Sequence, residues 1–65
     1  MSIEELRKSQ GFTQAELGKK VGVSQRTISN YESGERHPSR RVASRFCELF
    51  HLTKEQAWDI FGRVD

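Results

Sequence analysis

A chain of 65 residues has room for one domain with a modest core, so it must depend on close packing of its elements or on a partner. Its single cysteine excludes an intrachain disulfide, and Cys47, His37 and His51 are not spaced as a zinc site, so no metal and no cofactor is expected. No apolar run approaches membrane-spanning length, the start lacks a signal-peptide profile, and the net charge of +2 conceals a segregated distribution.

Helix grammar can be followed along the whole chain. Ser2-Ile3-Glu4-Glu5 reads as a capping box, with Met1 and Leu6 as its staple, and predicts a helix over about 3–10 with Ile3 and Leu6 inward. After Gly11, Thr13-Gln14-Ala15-Glu16 opens a second helix over about 14–21, stapled by Phe12 and Leu17, with Leu17 and Val21 inward. Gly18 lies inside it, where glycine costs about 1 kcal/mol relative to alanine, so a third helix crossing closely over that point is expected. Gly22 stops the second helix, and Ser24 caps a third over about 25–33, with Ile28 and Tyr31 inward and Gly34 as its stop. Ser39, after Pro38, caps a fourth over about 40–50, which offers Val42, Phe46, Leu49 and Phe50 to the core with Ala43 and Cys47 alongside. Thr53-Lys54-Glu55-Gln56 is a third capping box and starts a helix over about 54–61, closed by Gly62. On it Trp58 and Phe61 stand three apart and fit either the core or a dimer patch. Nothing alternates with a strand period, and no repeat or linker divides the chain. The expectation is an all-α, compact five-helix bundle forming one domain over residues 1–65.

Charge gives that scaffold a direction. From Lys19 to Arg45 there are seven bases (Lys19, Lys20, Arg26, Arg36, Arg40, Arg41, Arg45) against two acids, Glu32 and Glu35, while both flanks are slightly acidic. Such a centre suits a polyanion on one face. The third and fourth helices also lack the Glu or Gln that completes the other three caps, and carry Arg26, and Arg40 with Arg41, in their first turns. A helix N-terminus is already the positive end of the dipole, so cations there are mildly unfavourable unless an anion arrives from outside. Phosphate is the natural candidate.

The run from residue 11 to 39 resembles the phage repressor and Cro type of helix-turn-helix regulator, the Xre family. The resemblance is carried by Gly11-Phe12-Thr13-Gln14-Ala15-Glu16-Leu17, Val21-Gly22-Val23-Ser24, Thr27-Ile28-Ser29, Tyr31-Glu32-Ser33-Gly34 and Pro38-Ser39. It implies a lambda repressor-like DNA-binding domain, with its motif over about 14–33, that binds double-stranded operator DNA, usually as a homodimer, in the cytoplasm of a bacterial or phage-infected cell. The second motif helix then enters the major groove. By position, Gln25, Arg26, Ser29 and Asn30 face the bases, where Gln or Asn suits an adenine edge and Arg suits guanine. Ser29 could equally meet a phosphate or water. The resemblance places Gln14, Ser24, Arg36, His37, Arg40 and Arg41 toward the phosphate backbone, and matches Arg7 and Glu32 to a pair that forms an internal salt bridge in some members. Dimer contacts in the family often come from the last helix and tail, which here offer Trp58, Phe61 and Val64.

The leading functional expectation is a sequence-specific transcription regulator, a repressor that occupies its operator. The alternative is an antitoxin that binds a toxin protein and autoregulates its own promoter. An adaptor that has kept the fold and lost DNA binding is disfavoured by the basic helix starts. An enzyme is not expected, because no nucleophile–base or paired-carboxylate arrangement is present and so small a core leaves little room for a pocket.

Overall fold

The computed structural model describes residues 2–62. Five helices follow one another: α1 (Ile3–Ser9), α2 (Gln14–Val21), α3 (Gln25–Ser33), α4 (Arg40–Phe50) and α5 (Lys54–Phe61). The described residues contain no strand. Ser2, Thr13 and Thr53 form complete capping boxes with Glu5, Glu16 and Gln56. Ser24 and Ser39 cap α3 and α4 through their hydroxyls alone. All five helices start where the sequence places their hydroxyl caps. Met1, assigned to the first staple, lies outside the described residues.

α4 ends where predicted, on His51 in the left-handed conformation (φ 54°, ψ 47°), its N–H on the Cys47 carbonyl, although no glycine is there to relieve the Cβ crowding. Gly62 follows α5 with ψ −151°, outside the left-handed helical region expected of it.

The core is a single cluster built around Phe46, which is fully buried with Leu17, Val21 and Ile28. The Phe46 ring stacks on Phe50 at 6.2 Å and meets the edge of Tyr31 at 6.4 Å. Val42, Leu49 and Phe50 are only partly buried, because a domain this small has one core layer and the helix flanks reach solvent. Ala57 and Phe61 bring α5 into the same cluster. Phe61 therefore corrects the expectation of a dimer face: it is 5% exposed, and its ring sits 5.4 Å from that of Phe46, so it is held by its own chain. Trp58, on the opposite side of α5, is the exposed member of the trio, and Val64 lies outside the described residues.

One polar arrangement crosses the bundle. Arg7 of α1 donates from Nε to Glu32 Oε2 (2.7 Å) and from Nη2 to Glu32 Oε1 (3.2 Å), a bidentate pair with side chains 13% and 7% exposed. Its third nitrogen, Nη1, donates to the Phe12 carbonyl at 2.9 Å. Gln14 Nε2 adds a bond to Glu32 Oε1 at 3.1 Å. The hydrogen-bonded carboxylate of Glu32 raises the Arg7 guanidinium above its ordinary pKa.

Two stability predictions follow from this frame. Removing either Arg7 or Glu32 leaves a part-buried charge without its partner and should cost more than the about 1 kcal/mol of an exposed pair, up to the about 3–5 kcal/mol of a buried one. A double-mutant cycle by urea unfolding should show the two losses strongly non-additive; additive losses would mean the pair is not formed in solution. Separately, the N–H of Thr13 bonds to Glu16 and holds that carboxyl below its ordinary value of 4.5. The contribution is fully present above that value and is lost as the pH falls through the lowered folded-state value. Glu16→Gln keeps the acceptor, as Gln56 does in α5, and should flatten that part of the acid limb of stability against pH. An unchanged acid limb would contradict the assignment.

Candidate nucleic-acid interface

The α2–turn–α3 unit is fixed by a glycine that lets two backbones touch. Gly18 is buried, and a Cβ built on it would stand 2.6 Å from the Val23 carbonyl oxygen, inside any tolerable contact. The Gly18 carbonyl meanwhile accepts the N–H groups of both Gly22 and Val23 at 2.8 Å. The chain turns through Gly22 at φ 81° and enters α3 directly over α2. The residues over Gly18 are Val23 and Ser24 of the turn that launches α3, rather than α3 itself.

Arg45 of α4 completes this turn. Its Nη1 donates to the Val21 carbonyl at 3.2 Å, against the C-terminal end of α2, where the helix dipole is negative. In sequence Arg45 looks like one more solvated cation of the basic run. Nothing local reveals its carbonyl partner, 24 residues away. Lys20 is likewise engaged, its ammonium 5.1 Å from the centre of the Phe12 ring.

With its base fixed, α3 buries Ile28 and turns Gln25, Arg26 and Ser29 fully outward, with Asn30 half-buried beside them. The Ser24 hydroxyl accepts the Thr27 N–H at 3.1 Å and touches the Thr27 hydroxyl at 2.9 Å. The N–H groups of Gln25 and Arg26 are left without an intrahelical acceptor. At the other end the Asn30 carbonyl accepts Glu35 N–H at 3.0 Å and Arg36 N–H at 3.2 Å. The Arg36–His37 loop is thereby tied to the same helix, and both side chains are exposed.

The start of α4 repeats the pattern. Ser39 Oγ accepts the Val42 N–H at 3.3 Å, and Arg40 and Arg41 are exposed in the first turn. Neither α3 nor α4 has an acid in its first turn, whereas α1, α2 and α5 all do. Glu32, the single acid of α3, is paired with Arg7. The arrangement offers two positive helix ends, flanked by exposed guanidinium groups and polar side chains, to an anionic surface. Gln14 stands differently from the other residues expected at phosphate, because its amide is already engaged by Glu32 at the opening of α2. Among the described residues no group of His, Cys, Asp and Glu could hold a metal ion. No described helix is long and apolar enough to cross a membrane.

Comparison with known proteins places the same stretch in a family context. The helix-turn-helix family profile matches residues 3–56. An uncharacterised HTH-type transcriptional regulator of Archaeoglobus fulgidus is 45% identical over 53 residues, covering 82% of this chain and 76% of that protein. Another from Methanothermobacter thermautotrophicus is 42% identical over 59 residues, covering 91% of this chain and 83% of that protein. The uncharacterised HTH-type regulator YgzD of Bacillus subtilis is 36% identical over 59 residues, covering 91% and 85% respectively. No solved structure gives a significant match.

The close contact at Gly18 makes a direct prediction. Gly18→Val must push the Val23–Ser24 backbone away from α2, and this overpacking should cost about 1–3 kcal/mol or more by urea unfolding. A variant as stable as the wild type would show that the turn does not sit against α2.

Proposed function

We propose that this chain, which belongs to the Cro/CI-type, Xre-like helix-turn-helix family of transcriptional regulators, is a repressor that occupies operator DNA with α3 in the major groove. The observation that carries the reading is the pair of acid-free, cation-bearing N-termini at α3 and α4, set beside an outward row of Gln25, Arg26, Ser29 and Asn30. In this reading Arg26 pairs with guanine O6 and N7, and Gln25 and Asn30 take adenine edges. Ser29 meets a base or the adjoining sugar-phosphate. The N-terminus of α3 at Ser24, the Arg36–His37 loop and the α4 start at Arg40 and Arg41 grip phosphates and set the register. Gln14 reaches a phosphate from the head of α2 while its amide steadies Glu32. Repression is then steric: a protein in the groove of a promoter blocks access to it.

One recognition helix reads only a few base pairs. Two copies on one duplex, with their helices about one DNA turn (roughly 34–36 Å) apart, would supply the missing discrimination. DNA itself would favour that pairing by linkage, since each half-site holds the other subunit in place. The setting is the cytoplasm, where such DNA is found.

The test separates base reading from phosphate grip. On a duplex selected from a random pool, Arg26→Ala should cost about 1–3 kcal/mol and relax the preference at one base position. Arg40→Ala should weaken selected and scrambled duplexes nearly alike and reduce the salt slope by about one. An Arg26→Ala protein that weakens on both duplexes equally would overturn its base-reading role.

A further inference from the structure

The face of the bundle formed by α4 and α5 carries a feature that DNA reading does not use. A half-open groove of about 290 Å³ runs between these helices. Its floor is Ala43, Cys47 and Ala57, three small side chains that leave depth for a larger one from outside. One wall is the indole of Trp58, which at 56% exposure is the one large hydrophobic side chain left open to solvent among the described residues. The rim carries Arg40 and Lys54, the first residues of α4 and α5, and no carboxylate lines the groove. Glu55 borders only the outer side of the indole.

We propose that this groove is the docking site of a partner protein segment that is acidic and carries an apolar anchor, and that its occupancy is mutually exclusive with DNA. The anchor would enter the floor against Trp58, the residue type most often found at the centre of binding energy in interfaces. Its neighbouring carboxylates would meet the Arg40 guanidinium at the open N-terminus of α4 and the Lys54 ammonium across the groove. A second copy of this chain fits less well, because a two-fold contact sets each patch against itself and the groove lining supplies no acid to answer the two cations. Exclusion of DNA follows from Arg40 alone and rests on its proposed role at phosphate: the same guanidinium cannot hold a partner's carboxylate and the operator backbone together. The groove is thus a place where an acidic protein lifts the regulator from its operator.

Trp58 is the single tryptophan of the chain, so its fluorescence reports on the groove directly. The experiment selects short random peptides displayed on phage against the full chain, then titrates synthetic copies of the enriched peptides without DNA. Enriched sequences should combine Asp or Glu with an adjacent aromatic or branched apolar residue. They should perturb Trp58 emission and bind Trp58→Ala and Lys54→Glu about tenfold or more weakly, with Arg26→Ala unaffected. Both substitutions are at exposed positions, and circular dichroism should show them folded. The peptides should also displace the selected duplex from wild type. Absence of enrichment, peptides without carboxylates, or equal binding to Trp58→Ala would overturn the groove assignment. So would a stable homodimer in sedimentation that Trp58→Ala dissociates. Peptide binding in the groove without displacement of the duplex would overturn the shared role of Arg40, so the two failures are distinguishable.

Discussion

The bidentate pair between Arg7 and Glu32 is the interaction on which the rest of the fold depends. It joins α1 to the C-terminal half of α3 across a separation of 25 residues, and through Phe12 and Gln14 it also fixes the entry to α2. The N-terminal half of α3 must stand out from the protein, so it cannot be held by burial along its whole length. Its position is set instead from behind, by Ile28 in the core and Glu32 in the ion pair. The pair has a second, electrostatic effect. An unneutralised Glu32 would place a negative charge on the helix proposed to read DNA, and Arg7 cancels it through a part-buried pair.

A single choice of cap then divides the five helices into two kinds. Where the third helical residue is Glu or Gln, its side chain closes the N-terminus on itself and the helix is electrostatically complete. Where it is Thr27 or Val42, the serine cap satisfies one N–H and the dipole stays open to an external anion. The open ends belong to the helices that also carry Arg26, Arg40 and Arg41. Arg45 and Gly18 keep these two helix starts in fixed relation, one by bonding the end of α2 and the other by letting the turn lie against it. Membership of the helix-turn-helix regulator family agrees with this reading of the geometry.

How much of this could be read in the chain depended on the range of the interaction. Helix starts were legible because a cap is a contact between residues three apart, and Ser2, Thr13, Ser24, Ser39 and Thr53 each behave as their neighbours dictate. The inward positions Leu17, Val21, Ile28 and Phe46 follow from periodicity. The ion pair of Arg7 and Glu32 was suggested by family resemblance, since spacing alone does not join residues so far apart. Phe61 was ambiguous because Trp58 and Phe61 stand three apart on a short helix, and only the placement of Phe46 determines which side of α5 is covered. The bond of Arg45 to Val21 was not legible because it joins residues 24 apart, and the groove beside Trp58 was not because it depends on the angle at which α5 packs on α4.

The central claim is that the open N-termini of α3 and α4 are where this protein meets DNA. Backbone amide shifts in solution, followed during titration with a duplex, test it most directly, because the claim concerns those N–H groups themselves. The account predicts the largest changes at Gln25, Arg26, Arg40 and Arg41, smaller ones through the Arg36–His37 loop, and little at the closed start of α1. Shifts confined to α1 and α5, with the α3 and α4 starts unmoved, would contradict it.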